Sequence, residues 1–138
     1  MSAKANTTLV RRYVDEVYNG RDYAVVDELI AEHYTDHVAL HEQASGREQF
    51  KRSLSVFHTA FPDGKIVAED VIAAGDRVAW RWSFTGTHQG EFQKIAPTNK
   101  AIRWTGIIIW RIEQGQIAEW WAAYDLRSLL QQLGVSDA

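Results

Sequence analysis

Cysteine is absent from the 138-residue sequence, which excludes disulfides, a thiolate nucleophile and Cys-ligated zinc. No apolar run approaches the roughly 20 residues of a membrane helix. The opening MSAKANTTLVRRY has no apolar segment of a secretory signal, so a cytoplasmic protein is expected. Positive charge is not in excess. Fifteen Lys and Arg stand against 18 Asp and Glu, the formal net charge is −3, and the basic residues are scattered. That balance gives nucleic acid no electrostatic footprint, and neither nucleic acid nor a membrane is expected as a partner. Nucleophile elbow, Walker loop, dinucleotide fingerprint and zinc-protease motif are all missing, and no lysine stands out for Schiff-base chemistry. What remains is proton transfer in an apolar pocket, or binding without chemistry.

Aromatic residues are plentiful: six Trp, five Tyr and five Phe, enough for a core and a pocket wall. The length suits one domain, 1–138. Val10, Tyr13, Val14, Val17 and Tyr18 recur at helical spacing between residues 7 and 19, with Asn6 or Thr7 as cap and Gly20 as stop. Asp22 can cap a second helix carrying Val26, Leu29 and Ile30. Residues 33–43 read as extended, with Tyr34, Asp36, Val38 and Leu40 alternating against Thr35, His37, Ala39 and His41. Ser45 and Glu48 form a capping box for a helix that presents Phe50, Leu54, Phe57 and Phe61. Strands follow at 65–73 and 77–87, the second with Val78, Trp80, Trp82 and Phe84 on one face. A long connection, 88–99, precedes the last hairpin, and 126–133 can form a short helix stopped by Gly134. Helices followed by an antiparallel sheet predict an α+β fold, a curled sheet closed by helices around one cavity.

The most informative stretch is 101–125, AIRWTGIIIWRIEQGQIAEWWAAYD. Gln114-Gly115 reads as a two-residue hairpin turn. The register that follows pairs Ile112 with Ile117, Trp110 with Glu119, Ile108 with Trp121 and Trp104 with Asp125, all on one face. The opposite face then carries Arg103, Ile107, Ile109, Trp120, Ala122 and Tyr124, an apolar surface expected to pair copies into a homodimer or homotetramer. A one-residue slip would exchange the two faces.

Asp125 is the sharpest candidate. At the aromatic end of a cavity it would serve as an acid/base, its pKa raised by low dielectric. As the residue before a helix at Leu126 it would instead be an N-cap, and spacing alone favours the cap. Glu119 is either a second acid/base or the partner of a nearby Arg. His33, His37 and His41 are four apart, a metal face on a helix. On an extended segment four residues span roughly 13 Å, too far for neighbours to share one ion, so no metal is expected. His37 fits a pocket wall better, and His88, between Gly86 and Gly90, is a turn residue or a polar group at the cavity mouth.

Ordered pieces along the chain resemble a known family. They are Phe61-Pro62-Asp63, Glu69-Asp70, Gly75-Asp76-Arg77-Val78, Arg81-Trp82 and Gly86-Thr87-His88-Gln89-Gly90-Glu91-Phe92. Pro97-Thr98, Gly106, Arg111, Gly115-Gln116-Ile117, Glu119, Trp121, Asp125 and Gln132-Leu133-Gly134 continue the series. Together they resemble the SnoaL-like polyketide cyclases of the NTF2-like superfamily. Lys94 and Asn99 stand where that family usually has glycine. The resemblance implies an α+β cone, a homo-oligomer, and cofactor-free aldol ring closure of a hydrophobic carbonyl compound with an aspartate as acid/base. The matching aspartate is Asp125, with His37 near the pocket and Trp121 in its wall. On this reading Asp125 and His37 are catalytic, and His88, Trp82, Trp104, Trp121 and Glu119 bind the substrate. Two other readings stay open: a non-catalytic binder of a small aromatic ligand, and an isomerase, dehydratase or hydrolase in the same cone.

Overall fold

The computed structural model describes residues 2–37 and 46–135. Helix α1 (Ala3–Arg12) starts earlier than the apolar spacing suggests, because the Ser2 side chain caps it by accepting from the Ala5 amide. Asn6, expected as the cap, is buried inside the helix and donates to the Gly75 carbonyl. The helix then widens into a π-helical stretch, Tyr13–Tyr18. In an α-helix, residues five apart diverge by about 140°. The wider turn brings Tyr13 and Tyr18 to the same cavity. Asn19 ends the stretch and grips the strand Lys65–Ala74 through both main-chain groups of Ile66.

Helix α2 (Tyr23–Leu29) is capped by Asp22, as expected. Strand β1 (Ile30–Asp36) takes up the first part of the segment read as extended. Val38, Leu40, His41 and the Ser45 cap lie outside the described residues. Helix α3 (Arg47–Ala60) buries Phe50, Leu54 and His58. Strands β2 (Lys65–Ala74), β3 (Arg77–Thr87), β4 (Ala101–Glu113) and β5 (Gln116–Tyr124) follow, then α4 (Leu126–Gln132). The sheet order is β1-β5-β4-β3-β2, antiparallel except for the parallel β1–β5 pair. This is the α+β architecture that the pattern predicts. No helix among the described residues is long and apolar enough to cross a membrane.

The Gln114-Gly115 turn forms, with both residues at positive φ, the signature of a tight hairpin. Ile112 pairs with Ile117 as predicted, but the next pair is Arg111 with Glu119. Ala118 is therefore an extra residue, a β-bulge. Ile117 and Ala118 are consecutive and both buried, which strict alternation forbids. Beyond the bulge every side chain changes face. Trp110 faces Trp120, Ile108 faces Ala122, and the ladder ends at Gly106–Tyr124. This corrects the expected hairpin. Trp120, Ala122 and Tyr124 belong to the inner, helix-covered face, whereas Glu119 and Trp121 sit outside. Asp125 lies past the last pair.

The core is aromatic. Tyr13 meets Phe50, Trp80, Trp110 and Trp120 edge-on at 5.3 to 6.2 Å between ring centres. Edge-to-face contact is the arrangement that ring quadrupoles favour.

Candidate functional site

Between the π-helical stretch, α3 and the inner sheet face lies a cavity of about 150 Å³. Tyr13 and Tyr18 come from the first helix, Phe50, Ser53, Leu54 and Phe57 from α3, and Tyr34 with Asp36 from β1. The sheet supplies Ile66, Trp82, Phe84, Trp104, Ile108, Trp120, Ala122 and Tyr124. Asp36 is the only carboxylate among these described lining residues, and no Lys, Arg or His is among them.

Strand alternation sets Tyr34 and Asp36 on the same side of β1, and the Tyr34 hydroxyl is hydrogen-bonded to the Asp36 carboxylate. Burial raises the phenols of Tyr13, Tyr18 and Tyr34 well above their ordinary 10.0, and pushes Tyr124 up to about 12. The Asp36 charge adds to the shift at Tyr13, Tyr34 and Tyr124. All four tyrosines are therefore neutral hydrogen-bond donors near pH 7.

Trp82 and Trp104, both expected to bind substrate, line the cavity. Gly106, opposite Trp82, leaves room for the indole to lie across β4; a Cβ there would come within 2.5 Å of the ring. Trp104 is held by its Nε1, which donates to the Asp125 carbonyl at 2.8 Å.

The other predicted site residues lie elsewhere. The Asp125 carboxylate is exposed and accepts from the Ser128 amide at 2.9 Å, capping α4. Its contribution to the cavity is the main-chain carbonyl that fixes Trp104. Glu119 is on the outer face, where it accepts from Arg111 and meets His37 Nε2 at 2.7 Å. Arg111 first, then His37, hold its carboxyl below the ordinary 4.5. His37 stacks on Trp121 at 4.8 Å, and the Arg77 guanidinium covers the same indole at 4.8 Å. His33 meets a different carboxylate, Glu113, at 2.7 Å. His88 is fully buried and accepts from the Thr98 amide at 3.2 Å, while its own main chain bonds Lys100 and Asn99. It closes the 88–100 connection. Lys94 and Asn99, which stand where the resembled family usually has glycine, both adopt positive φ, 63° and 58°.

Asp36 was legible as an acid on the otherwise apolar face Tyr34-Asp36-Val38-Leu40. A regular β4–β5 register would place Asp125 and Glu119 inside; the bulged register leaves both outside.

Helices packed on a curved five-stranded sheet around an aromatic cavity define the class of α+β cone domains. Residues 8–133 match the family described as SnoaL-like polyketide cyclase, and the chain belongs to that family. Its fold is NTF2-like. TsrD from Streptomyces laurentii superposes with a TM-score of 0.89 at 23% identity, covering 99% of both chains. IdmH from Streptomyces antibioticus, described as a candidate polyketide cyclase, gives 0.78 at 28% identity over 94% of this chain and 98% of its own. AclR from Streptomyces galilaeus, described as a candidate hydroxylase, gives 0.85 at 26% identity over 99% and 89%. No curated protein sequence matches.

Proposed function

We propose that this protein is a cofactor-free enzyme of proton transfer on a hydrophobic carbonyl compound, in the manner of a cyclase, with Asp36 as its acid/base. The observation that carries the reading is Asp36, the one carboxylate among the described lining residues of an aromatic cavity whose other described polar groups are Ser53, tyrosine hydroxyls and indole N–H groups. Family membership supports it. IdmH and AclR differ in their described activities, so the reaction is argued from the cavity.

Asp36 takes a proton from the carbon next to the carbonyl. The electron pair moves onto the carbonyl oxygen, and a tyrosine hydroxyl donates a hydrogen bond to the enolate oxygen. The enolate carbon attacks a second carbonyl of the same molecule, forming the carbon–carbon bond. The new alkoxide recovers the proton from Asp36, which returns to its starting state. Positioned proton transfer of this kind is worth about 10²–10⁴-fold in rate.

Deuterium uptake at the carbon next to the carbonyl isolates the first step, with phenylacetone in D₂O followed by NMR. The protein should accelerate uptake, and Asp36→Asn should remove about 10²-fold or more of that acceleration while leaving the melting temperature near wild type. Full exchange by the Asn variant would take Asp36 out of the mechanism.

A further inference from the structure

The size and charge of the cavity carry the reading further than the family name does. Pockets for drug-sized ligands run to roughly 300–1,000 Å³. This one is about 150 Å³. An apolar cavity of about 150 Å³ accommodates a benzene-sized ring. A fused polycyclic compound is larger than that volume and would crowd Trp82, Trp104, Phe57 and Trp120. Phe57 and Trp104 already stack at 6.4 Å, and Trp82 meets Trp104 edge-on at 5.4 Å. Aromatic walls suit a flat ring.

Charge narrows the class again. The described lining contains Asp36 and no cation. A carboxylate or phosphate entering it would lose its hydration, meet the Asp36 charge and find no compensating cation among the described lining residues. A neutral carbonyl oxygen loses less and finds tyrosine donors instead.

We propose that the cavity selects an uncharged, one-ring carbonyl compound and rejects both anionic and fused-ring ligands. The proposal rests on the proton-transfer reading for the carbonyl group alone; size and charge selection stand on the cavity.

The test is equilibrium binding of three probes, followed by quenching of tryptophan fluorescence and confirmed by calorimetry. Phenylacetone is neutral with one ring. Phenylacetate has nearly the same shape and a negative charge. Anthracenylacetone is neutral with three fused rings. Phenylacetone should bind, and the other two should bind at least about tenfold more weakly. Asp36→Asn should narrow the gap between phenylacetate and phenylacetone by about tenfold. Ala122→Trp, which fills the cavity, should abolish phenylacetone binding; Ala122→Leu should weaken it and serves if the Trp variant does not fold. Equal affinity for phenylacetate or anthracenylacetone, no binding of phenylacetone, or phenylacetone binding left unweakened by Ala122→Leu would overturn the proposal. Binding of phenylacetone without deuterium uptake would leave the selection intact and remove the proton-transfer reading. Uptake without the affinity differences would do the reverse.

Discussion

Trp120 and Trp121 are adjacent in β5 and have opposite fates. Trp120 points inward, packs against Tyr13 and Trp110, and helps line the cavity. Trp121 points outward between the Arg77 guanidinium and the His37 ring. The inner face of the sheet is held by ring packing and area burial, the outer face by half-exposed charges around a few exposed side chains. Ile107 is 49% exposed there, whereas Trp110, three residues on, is 0% exposed. Identical residue types therefore do different work according to the face they occupy, and the Ala118 bulge decides the face.

The largest stability difference should separate the two sides directly. Trp110→Ala should cost about 3–5 kcal/mol, the range for truncating a buried aromatic. Trp121→Ala should cost below about 1 kcal/mol, since it loses a stack and an exposed cation–π contact. Urea unfolding of both variants measures the contrast, and equal losses would mean that the faces are not distinct.

Gly106→Ala sharpens the inner face. The new Cβ would meet Trp82 at 2.5 Å and the Ala123 carbonyl at 2.9 Å. The expected cost is about 1–3 kcal/mol, with weaker phenylacetone binding as the indole is pushed into the cavity. Unchanged melting and binding would show that Gly106 does not set the space for Trp82.

A smaller effect is expected at Asp125. Asp125→Ala should lose about 0.5–2 kcal/mol with the α4 cap, and Asp125→Asn almost nothing, because Asn caps comparably. Deuterium exchange should persist in the Asn variant. Its loss there, with melting unchanged, would return the acid/base role to Asp125.

The smallest effect belongs to the outer ion pairs. Arg111, and after it His37, hold the Glu119 carboxyl below its ordinary 4.5, so the unfolded chain takes the proton first as pH falls. The stabilisation is complete above that value and drains away below it, through the lower folded value. Solvent screens these groups, so the total should stay below about 1 kcal/mol. Glu119→Gln should flatten the fall of the melting temperature between about pH 5 and pH 3, and an unchanged slope would remove the pair from the pH response.

The alternation of Val78, Trp80, Trp82 and Phe84, the Asp22 cap and the Gln114-Gly115 turn were legible in the sequence because each depends on residues close in the chain. So were the α+β class and the aromatic pocket, with Trp82 and Trp104 in its wall. The inward acid was a different kind of question. Nothing local to Ala118 announces a bulge: a small residue beside Ile117 fits regular alternation or an extra position equally well. Pairing with β4 on one side and β1 on the other, with both Ile117 and Ala118 buried, settles it. The same holds for the π-helical widening that brings Tyr13 and Tyr18 to one cavity. Sequence determined which segments are strand and helix; tertiary packing decided which of their side chains face each other, because a one-residue shift costs little locally and reverses every face beyond it.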